Sequence, residues 1–462
     1  MRQSVITAAA LLLAWPINAA AEPRPELQKF RFHEDYRFLR TFSGAPDPFD
    51  PIKYVPLDDS GSSSLSFGGS IRERYEYTGN PLFGDDPQDE DGVWLQRANL
   101  HGDLYIGRNL RFFGEFSSAL SEGRAGGPSP VDENELDVQN AFADISFPVD
   151  RVNSFTLRAG RQELQFGTGR LVDVREGANV RRTFDGVRGL VEVANWDLDL
   201  LAVRPRRDEN GIFDDRTNRD EVLWGVYAAG EPQLLAASGL DLYYLGFRDD
   251  RGSFVQAVED ETRHSIGARL SGNRQGWDWN LEAAYQFGTF GDGDIAAWTA
   301  ASDTGFKFDE TLFQPRIGLR ANIASGDEDP ADDELQTFNP LYPRGNYFSQ
   351  AAVLGPRNFF NLNPHLNFQI TEEFALNTDA NFYWRLEKKD GVYSPSGQII
   401  RGPGQSDARY VATGVSVEAT WAPLRNVDFT AIYTHLAPGA FIEETGASES
   451  VDFIELTARF RF

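Results

Sequence analysis

The chain of 462 residues contains no cysteine, and its single methionine is the first residue. The absence of cysteine excludes disulfide bonds, thiolate catalysis and Cys-ligated zinc together. Lysine is also scarce, because only five of the 44 basic residues are lysine. The other basic residues are arginine, whose rigid planar guanidinium matches carboxylates and phosphates.

Long hydrophobic runs are absent beyond the N-terminus, where Arg2 precedes an apolar run over residues 5–17 and the small residues 19–21. This order predicts a secretory signal peptide, residues 1–21, cut after Ala21. The alternative is a retained N-terminal anchor. No other stretch approaches the roughly 18–20 apolar residues of a transmembrane helix. An exported chain of this kind crosses a membrane only as strands.

The net charge is −26, which argues against a nucleic-acid partner. Acidic residues are concentrated in the polar stretches 85–91, 208–209 and 327–334. Mean hydropathy is negative although 13% of the residues are aromatic. Both values suit a membrane barrel, in which only every second strand residue is apolar and the loops remain polar.

The last twelve residues, 451–462, alternate between apolar and polar positions and end on Phe462. This alternation predicts a strand with one face toward lipid, and the ending resembles the C-terminal signature of bacterial outer-membrane proteins. Similar alternating segments recur along the chain, at residues 94–106, 110–120, 277–287, 374–385, 411–421 and 427–433.

These segments predict an all-β fold, a transmembrane antiparallel β-barrel of about 18 strands over residues 64–462. Residues 22–63 lack such periodicity and predict a short periplasmic N-terminal segment. A soluble β-sandwich is the alternative. The barrel implies a bacterial outer-membrane location, with outer-membrane lipid, lipopolysaccharide and the barrel assembly machinery as partners.

Enzymatic catalysis would need reactive side chains that lie close together, whereas the five histidines are scattered along the sequence. A hydrolase on the barrel rim that uses Ser416 and His435 is a minor alternative, because catalytic triads depend on geometry and not on sequence order. We predict no enzyme, no catalytic residues and no cofactor. The acidic run is a weak calcium candidate through Asp327, Asp329, Asp332 and Asp333, although a solvated external loop is the simpler interpretation.

Strand alternation places many arginines on the face opposite the lipid-facing residues. We expect these to line the pore: Arg72, Arg74, Arg97, Arg158, Arg188, Arg316, Arg320 and Arg385. Rings of arginine favour anions, which predicts an electropositive constriction. The alternative is a wall of neutralised pairs, since acids such as Glu115, Asp144 and Glu282 fall on the same face.

Two blocks resemble the alginate export family. The first contains Arg158, Gly160, Arg161 and Gln162 within residues 155–167 and continues through residues 170–186. The second spans residues 325–327, 338–343 and 355–366.

This resemblance implies an 18-stranded outer-membrane barrel whose Arg-rich constriction passes an anionic uronate polymer outward, gated by loops. It also implies that Arg97, Arg161, Arg344 and Arg357 face the lumen. The hypothesis is therefore a channel for an anionic polysaccharide, which as an exporter would require periplasmic secretion partners. An uptake porin for oligosaccharides or small organic anions is the alternative.

Overall fold

A computed structural model describes residues 24–150, 153–232 and 238–462, so the predicted signal peptide lies outside the described residues. Alternating sequence segments form the wall of a barrel. Its strands are β1 (Ser64–Gly79), β2 (Val93–Ile106), β3 (Leu110–Glu122), β4 (Asn134–Pro148), β5 (Ser154–Gln162), β6 (Phe184–Val193), β7 (Trp196–Arg207), β8 (Glu221–Gly230), β9 (Ser238–Ser253), β10 (Val258–Arg274), β11 (Trp277–Phe290), β12 (Gly293–Lys307), β13 (Arg316–Ala324), β14 (Phe359–Gln369), β15 (Phe374–Trp384), β16 (Tyr410–Leu424), β17 (Val427–Pro438) and β18 (Val451–Arg461).

Each wall strand pairs antiparallel with its neighbours in sequence, and β18 pairs back onto β1 to close the barrel. The closing register runs from Ser70 opposite Arg461 to Gly79 opposite Asp452. Because the first and last wall strands pair, the described sheet has no free edge strand, which a membrane requires. The predicted all-β barrel of about 18 strands is confirmed.

The wall strands alternate as their sequences predict. In β1, Phe67 and Ile71 are 41% and 46% exposed on the outside, whereas Arg72 and Arg74 are buried on the inside. The terminal strand β18 follows the same rule, with Leu456 exposed outward. The outer surface is therefore apolar and the lumen is polar, as a membrane barrel requires.

Short turns lie at one end of the barrel. Residues 107–109 connect β2 to β3, and residues 194–195 connect β6 to β7. Longer loops lie at the opposite end, so the short-turn end is periplasmic and the other end external. None of the helices in the described part of the chain is long and apolar enough to cross a membrane. The helices are single turns or little more: Arg31–His33, Tyr36–Arg40, Asp50–Lys53, Pro81–Gly84, Gly345–Tyr347 and Ala440–Thr445.

Two long segments fold into the lumen instead of extending outward. We call residues 163–183 the first inward segment and residues 325–358 the second inward segment. The strands that precede them, β5 and β13, have only nine residues each, because the chain leaves the wall early. The second inward segment adds the short strand Glu334–Leu335, which pairs parallel with β12.

Above the short strands β5 and β6 the wall is closed by a loop from farther along the chain. This seam loop, residues 208–217, reaches β4 and forms a parallel bridge between Leu136 and Ile212. The N–H of Phe213 donates to the carbonyl of Leu136 at 2.9 Å. Ile212 and Phe213 are 58% and 57% exposed, so the loop continues the apolar outer surface of the wall.

Candidate functional site

The two inward segments meet and join their backbones. The N–H of Tyr342 donates to the carbonyl of Leu171, and the N–H of Asp173 donates to the carbonyl of Tyr342, both at 2.8 Å. A third bond runs from the Arg344 N–H to the carbonyl of Gly169, also at 2.8 Å. Buried apolar side chains of both segments, such as Leu171 and Phe348, join the hydrophobic core, and together with these bonds and the anchors below they fix a ribbon inside the barrel.

Tyr342 anchors this ribbon to the wall. Its ring lies edge-on to Phe184 and Phe247, with centroids 5.1 and 5.7 Å away. Its hydroxyl donates to Glu221 Oε2 at 2.7 Å. Burial, followed by the charge of Glu221, raises the Tyr342 pKa well above its usual value, so the phenol stays a neutral donor.

Glu176 is the charged centre of the first inward segment. Its carboxylate lies 2.5 Å from Arg97, 3.0 Å from Arg181 and 3.8 Å from Arg459. Burial acts to raise the Glu176 pKa, but the charges of these arginines and of Arg72 outweigh burial, and the pKa lies well below its usual range. Glu176 therefore stays ionised and holds wall and segment together.

Wall arginines also bind the backbone of this segment. Arg72 donates to the carbonyls of Glu176 and Ala178 at 3.0 and 3.1 Å. Arg74 donates to the carbonyl of Gly177. Because these carbonyls belong to a turn without regular structure, the guanidinium groups supply hydrogen bonds that the backbone would otherwise lack.

The N-terminal segment fills the periplasmic half of the lumen on the β1–β5 side. Phe32 packs edge-on against the inward-facing Phe113 and Phe142, at 5.8 and 5.5 Å. Lys29 Nζ donates to Gln165 Oε1 at 2.9 Å and lies 3.4 Å from Asp173. The segment thus reaches the first inward segment from below.

On the opposite side of the periplasmic half, the described residues leave an open space. A polar cavity of about 710 Å³ lies against the wall strands β7–β11. Its lining includes Asp197, Asp241, Arg269, Asn273 and Trp279. Arg269 Nε donates to Asp241 Oδ2 at 2.6 Å, so its charge is paired.

Most of the arginines predicted to line the pore lie on the inner face, and many of them are paired. Arg158 binds Asp144 through two hydrogen bonds of 2.7 and 2.8 Å. The same holds for further pairs: Arg188 with Asp199, Arg316 with Asp278 and Asp303, and Arg320 with Asp303. The wall is therefore largely a ladder of neutralised pairs, the alternative left open by the sequence.

Arg344 differs from these arginines. In the described part of the chain no carboxylate lies within 4.0 Å of it, and its side chain donates only to Asn346 Oδ1, at 2.8 Å. Arg344 is exposed, and its charge interacts electrostatically with Lys29 and with Glu418 of wall strand β16. An unpaired, accessible guanidinium therefore stands on the ribbon between the two inward segments.

Three predicted pore arginines occupy other positions. Arg161 lies on the outward side of β5 with Phe155 and Leu157, and it pairs with Asp185 at 2.8 Å where β5 ends beside the seam loop. Arg385 follows the end of β15 and donates to carbonyls of the external loops, including Ala408 at 2.8 Å.

Arg357 likewise ties external loops. It donates to the carbonyls of Ser253 and Gly397 at 3.1 and 3.3 Å. The lumen-lining role expected of Arg161 and Arg385 is thus wrong on geometry, and Arg357 acts as a loop anchor at the external mouth.

The other sequence candidates do not assemble. Ser416 points inward to Thr434 Oγ1 at 3.0 Å, whereas His435, one register position away, lies on the outer face and contacts Asp452 at 2.9 Å. A Ser416–His435 pair is excluded because adjacent strand positions face opposite sides.

The acidic run does not converge into a calcium site. Asp329 pairs with Lys389 at 3.1 Å, and Asp327 accepts a backbone N–H. Within the described ranges, the carboxylate triad that could hold a metal ion lies elsewhere and does not include Asp327, Asp332 or Asp333.

Sequence reasoning missed Glu176, Arg181 and Tyr342, which organise the inward segments. Residues 163–183 carry arginines and acids without strand alternation, which is a signal for a folded loop between two strands. The sequence of the loop cannot show that it turns into the lumen, because that depends on wall arginines far away in the chain.

A closed barrel with polar lumen, apolar outer wall and inward loops defines an outer-membrane channel. The family model for alginate export matches residues 63–454. The chain belongs to the alginate export family, and it is located in the bacterial outer membrane. No curated protein was found to match it.

Solved structures of Pseudomonas aeruginosa porins share the fold. OccD3 (OpdP) is 11% identical with a TM-score of 0.57, covering 89% of this chain and 93% of that chain. OccK2 (OpdF), solved in complex with glucuronate, is 11% identical with a TM-score of 0.56, covering 89% and 98%. OpdK, solved with vanillate, is 10% identical with a TM-score of 0.56, covering 86% and 98%. At this identity the likeness concerns the fold alone.

Proposed function

We propose that this channel passes an anionic polysaccharide, an alginate-like uronate polymer, through its Arg-lined lumen. The observation that carries the proposal is Arg344, an accessible guanidinium with no carboxylate partner among the described residues, on the ribbon that spans the lumen. Guanidinium groups bind carboxylates through charge-assisted hydrogen bonds. A uronate polymer has one carboxylate per sugar, so the carboxylate of each successive sugar can bind the Arg344 guanidinium in turn.

The charged centre at Glu176 suggests how the passage opens. Arg97, Arg181 and Arg459 meet at this one carboxylate, and two of them have a second carboxylate partner, Glu163 for Arg181 and Asp428 for Arg459. A polymer carboxylate can replace Glu176 as the partner of one arginine without leaving a buried charge unpaired. Each exchange loosens the first inward segment, and several weak sites allow the polymer to bind and still leave.

A second candidate is uptake of small organic anions. The periplasmic cavity of about 710 Å³ has the size of a small-molecule site. The N-terminal segment and the inward segments occupy other parts of the lumen, which suits a solute of one or two sugars. One porin of the same fold was solved with glucuronate, a uronate monomer.

Liposome swelling separates the two candidates. Liposomes that contain the protein are placed in isotonic glucuronate, in oligouronates of increasing length, or in neutral sugars of matched size. Export of polymer predicts entry of oligouronates longer than the cavity, and faster entry than that of matched neutral sugars. Entry of glucuronate alone supports the small-anion porin. Equal rates for charged and neutral sugars contradict both proposals.

A further inference from the structure

The seam loop brings acidic side chains to β4 at the external end of the barrel. Asp214 and Asp215 of the loop and Asp137 of β4 each contribute a carboxylate oxygen, and these oxygens lie within 4.8 Å of one another. The N–H of Asp215 also donates to Asp137 Oδ2 at 3.1 Å. Three carboxylates this close repel one another unless positive charge lies among them.

The neighbouring arginines do not supply enough charge. Arg161 lies 3.3 Å from Asp137, but it also forms an ion pair with Asp185. Arg206 lies 3.1 Å from Asp215, but it also forms an ion pair with Asp208. Arg175 is a third cation, on Asp208. Three arginines therefore face five carboxylates, which leaves an excess of two negative charges, the amount that one divalent cation neutralises. The five carboxylates are Asp137, Asp185, Asp208, Asp214 and Asp215.

A second observation points to a missing ligand. Asn134 is 4% exposed, and its amide Nδ2 donates to Asp215 Oδ2 at 2.8 Å. Its Oδ1 is buried and receives no hydrogen bond within the described residues, and the same is true of Asp214 Oδ1. Burying an acceptor oxygen without a donor costs free energy, which a cation bound to that oxygen would recover.

We propose that Asp137, Asp214, Asp215 and the amide oxygen of Asn134 form a binding site for Ca²⁺. All these donors are oxygens, which hard cations prefer, and calcium tolerates the irregular geometry that a strand and a loop offer. The ion links the seam loop to β4 and so closes the wall above β5 and β6. It lies at the external end of the barrel, where its occupancy follows the calcium concentration of the medium.

Calcium titration of the full mature protein tests the site. Protein in detergent is stripped with a chelator and titrated with Ca²⁺, and separately with Mg²⁺, by calorimetry. We expect one Ca²⁺ with a dissociation constant of about 0.1–1 mM, as for other extracellular sites, and weaker binding of Mg²⁺. Asp214→Asn, which preserves the side-chain shape, should weaken calcium binding at least about tenfold, since it removes a charged ligand.

The matched control is Asp333→Asn, which removes the same charge from the other acidic loop and should leave calcium binding unchanged. Trypsin gives a structural readout, because Arg207, Arg216 and Arg219 are exposed within or beside the seam loop. Calcium should slow cleavage there in the native protein and in Asp333→Asn, but not in Asp214→Asn.

A variant that adds a ligand keeps the test informative if Asp214→Asn fails to fold. Asn134→Asp places a carboxylate where the free amide oxygen lies, and it should tighten calcium binding. No binding of Ca²⁺ by the native protein, unchanged binding by Asp214→Asn, or loss of binding by Asp333→Asn would each overturn the proposal. None of these results bears on the uronate channel, which is tested separately.

Discussion

The backbone N–H of Asp173 donates to the carbonyl oxygen of Tyr342 at 2.8 Å, although the two residues lie in different inward segments. This bond belongs to a ribbon that crosses the lumen between the walls at β5 and β13. A solute larger than the space beside the ribbon passes only if these backbone bonds open. The contacts that hold the ribbon therefore determine conductance, and the predictions below concern them.

Replacing the charged centre should open the lumen. Glu176→Gln removes the carboxylate that Arg97 and Arg181 share, and loss of one partner of a buried ion pair costs about 3–5 kcal/mol. We expect higher single-channel conductance and stronger preference for anions, measured in planar bilayers. Glu73→Gln, an exposed position on the outer face, is the matched control. Identical conductance of the native protein, Glu176→Gln and Glu73→Gln would show that Glu176 does not hold the passage closed.

Removing the unpaired guanidinium should weaken recognition of uronates. Arg344→Ala deletes one charge-assisted hydrogen bond, which contributes about 1.5–3 kcal/mol, so block of the conductance by polyuronate should weaken at least about tenfold. Arg161→Ala removes the same charge on the outward side of β5 and should leave the block nearly unchanged. Equal effects of the two changes would mean that net charge alone sets the affinity.

The docking of the N-terminal segment should depend on pH through Lys53. This lysine is 4% exposed, and burial, followed by the charge of Arg31, lowers its pKa to about 7 from 10.5. The undocked chain then binds more protons between pH 7 and 10.5, so docking should strengthen as the pH rises through this range.

Protease protection of residues 24–56 measures this dependence. Lys53→Met keeps the side-chain length without the charge, and it should dock equally well at pH 7 and pH 10. Lys307→Met, at an exposed lysine paired with Asp309, is the control and should behave like the native protein. A native segment whose protection does not change from pH 7 to pH 10 would contradict the role of Lys53.

A paired wall arginine should contribute stability instead of selectivity. Arg158→Leu removes two hydrogen bonds from the buried Asp144, which keeps only Arg111 at 3.8 Å, and we expect a loss of about 3–5 kcal/mol in the free energy of unfolding. Urea unfolding in detergent, followed by the heat-modifiable mobility on gels, measures this loss. The double variant Arg158→Leu with Asp144→Leu should recover most of it. If the double variant does not recover stability, the contact of the Arg158 guanidinium with the Phe142 ring contributes more to stability than the ion pair does. The guanidinium carbon lies 3.8 Å from the ring centroid.

The barrel could be predicted from the sequence because each wall strand carries its own signal. Outward positions such as Leu456 are apolar and inward positions such as Glu455 are polar, and this alternation needs no knowledge of distant residues. The count of strands and the closing strand β18 followed from the same local pattern.

The site could be predicted only in part. Alternation placed Arg72 and Arg97 in the lumen, but it could not show that they hold Glu176 and Ala178 of a segment some eighty to one hundred residues away. The resemblance failed at Arg161, because the alternation that places Arg158 in the lumen places Arg161 outside, where it pairs with Asp185 beside the seam. Folding of the inward segments depends on such long-range contacts, which a single sequence does not display.

Ion selectivity of the purified protein in a planar bilayer, measured before and after addition of polyuronate, tests the central claim most directly. The account predicts an anion-selective conductance that polyuronate blocks and that Arg344→Ala renders less sensitive to the block. A cation-selective conductance that polyuronate does not affect would contradict it, since the acids of the wall would then outweigh the arginines of the lumen.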